Sequence, residues 1–371
     1  MTNIQQIGRS KIASVAYSFD DIALVPMKRV RDPEDVSLAW KIDAYEFDHP
    51  IVMAPMDSVA SPTTIVEYAR LGGLAILDLE GLWTRIENPA EALAKVSVTD
   101  GVDSVKALQK LYATPVDPDL MKQRVSELRD AGVTVAGSLA PQRALQFHDA
   151  VIKAGCDIFV IRGTTVSAEH VSQTRDSLNL KDFIYQLDTP VIVGGVASHK
   201  AALHLMRAGA AGVLVGFGGG ATHTTRSVLG IRVPMATAVS EVAAARREYL
   251  EESGGRYVQV IADGAMGRSG DMAKALACGA DAVMVGSPLA RALEAPGKGK
   301  HWGREAVLGD LPRGEVVALG TTGSLAEIVH GPSYVADGTM NLTGALRKAM
   351  ATCGYTTIKD FQRCELIVDR A

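Results

Sequence analysis

The feature that most constrains this chain is a repeated unit. A short run of Val, Ile, Leu and Ala ends in Gly or a small or polar residue, and a stretch with helical spacing follows. Eight such runs occur, at Ile51–Met56, Leu74–Leu77, Val133–Leu139, Asp157–Ile161, Val191–Val193, Gly212–Phe217, Val258–Ala262 and Ala282–Val285. Their apolar residues are contiguous rather than alternating, which suits parallel strands buried on both faces and not a one-sided antiparallel sheet. An internal repeat makes the unit explicit. Lys200-Ala201-Ala202-Leu203, closing with Gly209-Ala210-Ala211-Gly212-Val213-Leu214-Val215-Gly216, reads like Ala273-Lys274-Ala275-Leu276, closing with Gly279-Ala280-Asp281-Ala282-Val283-Met284-Val285-Gly286. Each copy is a helix, a Gly turn at its end, and a strand.

Eight strand–helix units predict a (β/α)8 TIM barrel in preference to an open sheet, and 371 residues leave room for insertions. The interval 83–130 carries helical patterns and no strand, so it is expected to be a helical insertion after the second strand. The tail after Pro296 opens with Gly297-Lys298-Gly299-Lys300-His301-Trp302-Gly303-Arg304 and is expected to cross the catalytic face. No linker marks a second domain, so residues 1–371 are read as a single barrel domain.

Charge narrows the partners. With 38 Lys+Arg against 42 Asp+Glu, the formal charge of −4 gives no electrostatic case for nucleic acid or an anionic membrane. The apolar runs fall well short of the roughly 18 residues a membrane span needs. The opening Met1–Gln6 lacks a signal-peptide layout, and Cys156, Cys278, Cys353 and Cys364 form no C-x-x-C pair. The expectation is a cytoplasmic protein with free thiols, Cys156 and Cys278 acting as small buried residues. No His/Cys/Asp/Glu cluster has the spacing of a metal site.

Barrel chemistry lies at the C-terminal ends of the strands. There Asp263-Gly264-Ala265 and Gly286-Ser287 follow the seventh and eighth runs, where barrels commonly hold a phosphate. Gly264, Ala265, Gly286 and Ser287 read either as a backbone cradle for phosphate or as tight turns. Asp263 is placed to accept hydrogen bonds from ribose hydroxyls. Asp20 and Asp21 read as capping residues at the entrance. The segment Gly216–Arg226 combines glycines with His223, three threonines and an arginine. His223 reads as a general acid or base, or as a solvated loop histidine.

At these residues the chain resembles the IMP dehydrogenase/GMP reductase family. Phe19-Asp20-Asp21-Ile22 is similar to that family's opening, Ala54-Pro55-Met56-Asp57-Ser58 to its first strand exit, and Gly216–Arg226 to its catalytic loop. The most specific match is Ala262-Asp263-Gly264 with Ser269-Gly270-Asp271, followed by Val285-Gly286-Ser287. The subgroup it resembles lacks the paired CBS module, for which the 83–130 insertion stands here.

The resemblance implies a purine nucleotide (IMP, GMP or XMP) as ligand and NAD or NADP(H) as cofactor, with hydride moving to or from nicotinamide after a cysteine adds to purine C2. It implies a cytoplasmic homo-oligomer, a tetramer or octamer. It assigns the phosphate to Ala221, Gly264, Ala265, Gly286 and Ser287, the ribose to Asp263 and the base to Met56. Arg162, Gly216 and Gly218 fall at cofactor-contacting positions, and His223 and Thr225 at catalytic ones. The chain departs from the family pattern at several of these. His223 stands where the family has its cysteine, Arg162 where it has an aspartate, and Ala221 where it has a serine. Two readings follow: a redox enzyme with His223 and Thr225 in altered roles, or a catalytically silent nucleotide-binding protein acting as a sensor or assembly partner.

Overall fold

The computed structural model describes residues 4–169, 178–217, 219–308 and 314–369. Eight parallel strands close into a barrel: β1 Ile51–Met53, β2 Leu74–Asp78, β3 Ala136–Leu139, β4 Ile158–Arg162, β5 Val191–Val196, β6 Gly212–Val215, β7 Gln259–Asp263 and β8 Ala282–Val285. Each pairs with its sequence neighbour, and β8 closes on β1 with Met284 opposite Val52. The (β/α)8 barrel expected from the sequence is therefore present.

Continuity of the apolar runs has its cause here. Ile158, Phe159, Val160 and Ile161 are all fully buried, because one face of β4 fills the barrel and the other lies under helices. Truncating Phe159 to alanine there costs about 3–5 kcal/mol. The helices start where the sequence supplies caps. Helix α1, Pro62–Arg70, takes Ser61 as N-cap and proline in its first turn.

Between β2 and β3 come α2 Ala90–Ser97, α3 Gly101–Tyr112 and α4 Pro118–Asp130. Helix α4 packs against both α1 and α5, Pro141–Lys153, so it is the barrel's own helix. The added part of the expected 83–130 insertion is thus the stretch before Pro118. Helical spacing alone cannot separate an added helix from a barrel helix, since both bury one face. Leu82, Leu93, Val96, Leu108 and Tyr112 form a second apolar cluster there, apart from the main core.

That second cluster is completed from the tail. Residues 299–307, here called the strap, supply Trp302, Ala306 and Val307 to it. Lys300 Nζ lies 3.0 Å from Asp100, just ahead of α3. No helix of the described residues is long and apolar enough to cross a membrane.

Candidate active site

The strand ends of β1, β4, β7 and β8 and the glycine-rich loop after β6 enclose a cavity of about 480 Å³. Met56, Ala221, Asp263, Gly264, Ala265, Gly286 and Ser287, the residues singled out for substrate, all line it, as do Arg162 and His223. Five elements spread along the sequence thus converge on one opening.

At one end, backbone forms the wall. Gly264 and Ala265 take left-handed conformations (φ +96° and +60°), which turn the chain sharply off β7. For Ala265 that conformation costs about 1 kcal/mol. Gly219 packs directly over this turn, where an added Cβ would lie 3.1 Å from Cβ of Ala265. Gly286 faces Met56 and His301, each 3.0 Å from where a Cβ would sit. Arg232, Arg268 and Arg291 border the same cavity. Among the described residues, Arg232 and Arg268 make no ion pair, so this end presents small residues and cations to a ligand.

At the other end, charged side chains fill the barrel mouth. Arg162 Nε lies 3.3 Å from Asp263 Oδ2 across the barrel. The burial that disfavours the Arg162 charge is outweighed by Asp263 and Glu305, which raise its proton affinity. From the short helix Arg304–Val307, Arg304 pairs with both Asp78 and Glu80 at 2.7 Å. Glu305 Oε2 is 3.8 Å from Nε2 of His223. Burial alone raises the Glu305 carboxyl, but His223 and Arg162 beside it hold it below its usual value. His301, in van der Waals reach of Gly286, bonds Ser58 Oγ at 3.0 Å and is pushed down to about 3 by burial and by His223, so it stays neutral. Beneath these, Tyr112 and the Leu82 N–H donate to Asp57, whose carboxyl is pushed up to about 7 by burial and by Asp78.

Other nominated residues lie elsewhere. Thr225 is fully buried and does not line the cavity, and its hydroxyl finds no hydrogen-bond partner among the described residues. Gly216 (φ +138°) is walled against β7, where a Cβ would run into the Asp263 carbonyl. Backbone packing, rather than ligand contact, accounts for a glycine there. Gly218 lies outside the described residues. Asp21 accepts hydrogen bonds from the Ser18 N–H and hydroxyl, capping the turn as its position suggested, while Asp20 lines the cavity. The four cysteines are buried free thiols.

Sequence reasoning missed Arg304 and Glu305 as site residues, along with Arg232, Arg268 and Arg291. The only signal was the polar run ending in Arg304, which had been placed over the catalytic face as a loop.

Comparison with known proteins places this geometry among relatives. The sequence model of the IMP dehydrogenase / GMP reductase domain matches residues 16–306. The chain is 47% identical to an uncharacterized oxidoreductase of Mycolicibacterium smegmatis, over 98% of this chain and 99% of that one. It is 27% identical to an inosine-5′-monophosphate dehydrogenase of Methanocaldococcus jannaschii, over 94% of this chain and 92% of that one. A crystal structure of an IMP dehydrogenase/GMP reductase-like protein from Corynebacterium glutamicum superposes with a TM-score of 0.94. The two are 47% identical, and the match covers 99% of this chain and 98% of that one.

Proposed function

The chain belongs to the IMP dehydrogenase/GMP reductase family, a family of oxidoreductases, and from that premise we propose that its cavity binds a purine nucleoside monophosphate, IMP, GMP or XMP. One observation carries the reading: Met56, Asp263, Gly264, Ala265, Gly286 and Ser287, from three separate strand ends, line one cavity. The glycine end suits a phosphate because small residues let backbone N–H groups approach it closely. Arg232, Arg268 and Arg291 add a cationic border. Asp263 offers a carboxylate to ribose hydroxyls while Arg162 holds its other side.

The family reaction moves a hydride between purine C2 and nicotinamide, supplied as NAD or NADP(H). Here the two described residues nominated for that cofactor have neighbours of their own. The Arg162 guanidinium is engaged by Asp263, and Gly216 is walled against β7. No thiol is at hand either, because His223 stands at the nucleophile position and an imidazole does not replace a soft thiolate in the covalent step. These observations favour a second reading, a purine-nucleotide sensor or assembly partner that does not turn over. Assembly as a tetramer or octamer belongs to either reading.

Two experiments test the proposal. IMP, GMP and XMP are expected to raise the melting temperature, since a ligand bound only to the native state stabilises it, and to do so more than ribose 5-phosphate. Sugar phosphates doing as well would sink the purine assignment. Nicotinamide absorbance is then followed with IMP plus NAD+ and with GMP plus NADPH. Turnover in either mixture supports the redox reading, whereas binding without turnover supports the silent one.

A further inference from the structure

Glu305 stands next to His223, at the charged side of the cavity. Its Oε2 lies 3.8 Å from Nε2 of His223, and the two side chains are 18% and 13% exposed. His223 lines the cavity, whereas Glu305 stands behind it. The other ring nitrogen, Nδ1, is 3.3 Å from Thr222 Oγ1 and faces Gly220, both of which border the cavity. The imidazole therefore has a buried carboxylate at one edge and the ligand space at the other. At 3.8 Å the contact is one of charges rather than a direct hydrogen bond. A negative charge at that edge favours the tautomer with its N–H there, so that Nδ1 accepts from the Thr222 hydroxyl on the cavity side.

The surroundings fix this arrangement. The Glu305 backbone is held by Arg304, bound to Asp78 and Glu80, and by Trp302 in the cluster with α2 and α3. Arg162 supports the carboxylate from β4, and neutral His301 faces the ring from the strap. On the opposite side, Asp20, Asp271, Arg226 and Arg232 border an adjoining pocket that His223 also lines.

We propose that Glu305 is a positioning residue that fixes His223 with Nδ1 toward the cavity and holds the imidazolium formed when His223 takes a proton there. The proton passes from the bound group or its water to Nδ1, the ring becomes the cation, and the Glu305 carboxylate carries the compensating charge. No electron changes hands. The inference rests on the nucleotide cavity for its ligand, but it is tested without one.

The experiment follows the histidine ring resonances of ligand-free protein by NMR from about pH 5 to 9, a window bracketing ordinary imidazole titration. Loss of one signal in His223→Gln assigns His223. Glu305→Gln is expected to lower the His223 titration midpoint by about one unit or more, because an opposite charge at this range favours the protonated form. Glu305→Asp, with the carboxylate drawn back, is expected to fall between wild type and Glu305→Gln. Unchanged titrations of the other histidines report an intact fold. An unchanged His223 midpoint in either variant overturns the proposal, and Glu305→Asp alone decides it if Glu305→Gln does not fold. Failure of nucleotides to bind would defeat the ligand assignment and leave this titration untouched.

Discussion

The two ends of the cavity are built from different materials. At the β7 and β8 exits the wall is backbone and small side chains: Gly264, Ala265, Gly286, Ser287 and the overlying Gly219. Toward the β2 and β4 exits Arg162 and His223 line it, backed by a lattice of largely buried charges in which Arg304 answers Asp78 and Glu80, Arg162 answers Asp263, and Glu305 answers His223. The first end is shaped by close backbone packing, so it tolerates little added volume. The second depends on paired charges, so it tolerates little unpairing. In the proposed function the glycine end matters to the ligand, and the charged end to the fold and to the proposed proton transfer.

Arg304→Met tests the charged end most severely. Removing the guanidinium takes the ion-pair partner from buried Asp78 and leaves Glu80 with Arg143 at 3.9 Å, and the expected loss of stability is about 3–5 kcal/mol by denaturant unfolding. The loss shrinks on acidification, because the Asp78 carboxyl, raised by burial, then protonates and ceases to need a partner. A loss independent of pH would mean that the pairs contribute packing only.

Ser287→Asp is the converse variant. It sets a carboxylate against the proposed phosphate and is expected to weaken IMP or GMP binding by about 100-fold or more in a calorimetric titration. The melting temperature of the ligand-free protein should stay near wild type. Full affinity in this variant would remove the phosphate end from the account.

Asp57 gives the charged end a pH signature. Its carboxyl, pushed up to about 7, stabilises the fold while protonated. That contribution is whole below the unfolded value near 3.9 and is lost as pH rises through about 7. Asp57→Asn abolishes this titration, so between pH 5 and pH 8 the stability difference should move by about 2 kcal/mol in favour of the variant. Parallel pH curves for variant and wild type would contradict it.

Gly219→Ala makes the smallest change. The new Cβ meets Cβ of Ala265 at 3.1 Å, and a relaxation of a few tenths of an ångström is expected to weaken nucleotide binding about threefold. No loss at all would show that the loop is not pressed onto the turn.

The glycine end was the part legible in sequence. Its turn residues adjoin the strands they terminate, so Asp263-Gly264 and Gly286-Ser287 announce themselves locally, as do the apolar runs of the barrel. The charged end was not. Arg304 and Asp78 are 226 residues apart, and Tyr112 meets Asp57 across 55. Their pairing is created by closure of the barrel and by the strap packing on α2 and α3, which no local spacing records.

A crystal structure with IMP bound tests the central claim most directly. The account predicts the phosphate between Gly264–Ala265 and Gly286–Ser287, the ribose hydroxyls on Asp263, and the purine against Met56 with its edge toward His223. Density for IMP outside this cavity, or with the phosphate at the Arg304–Glu305 end, would contradict it.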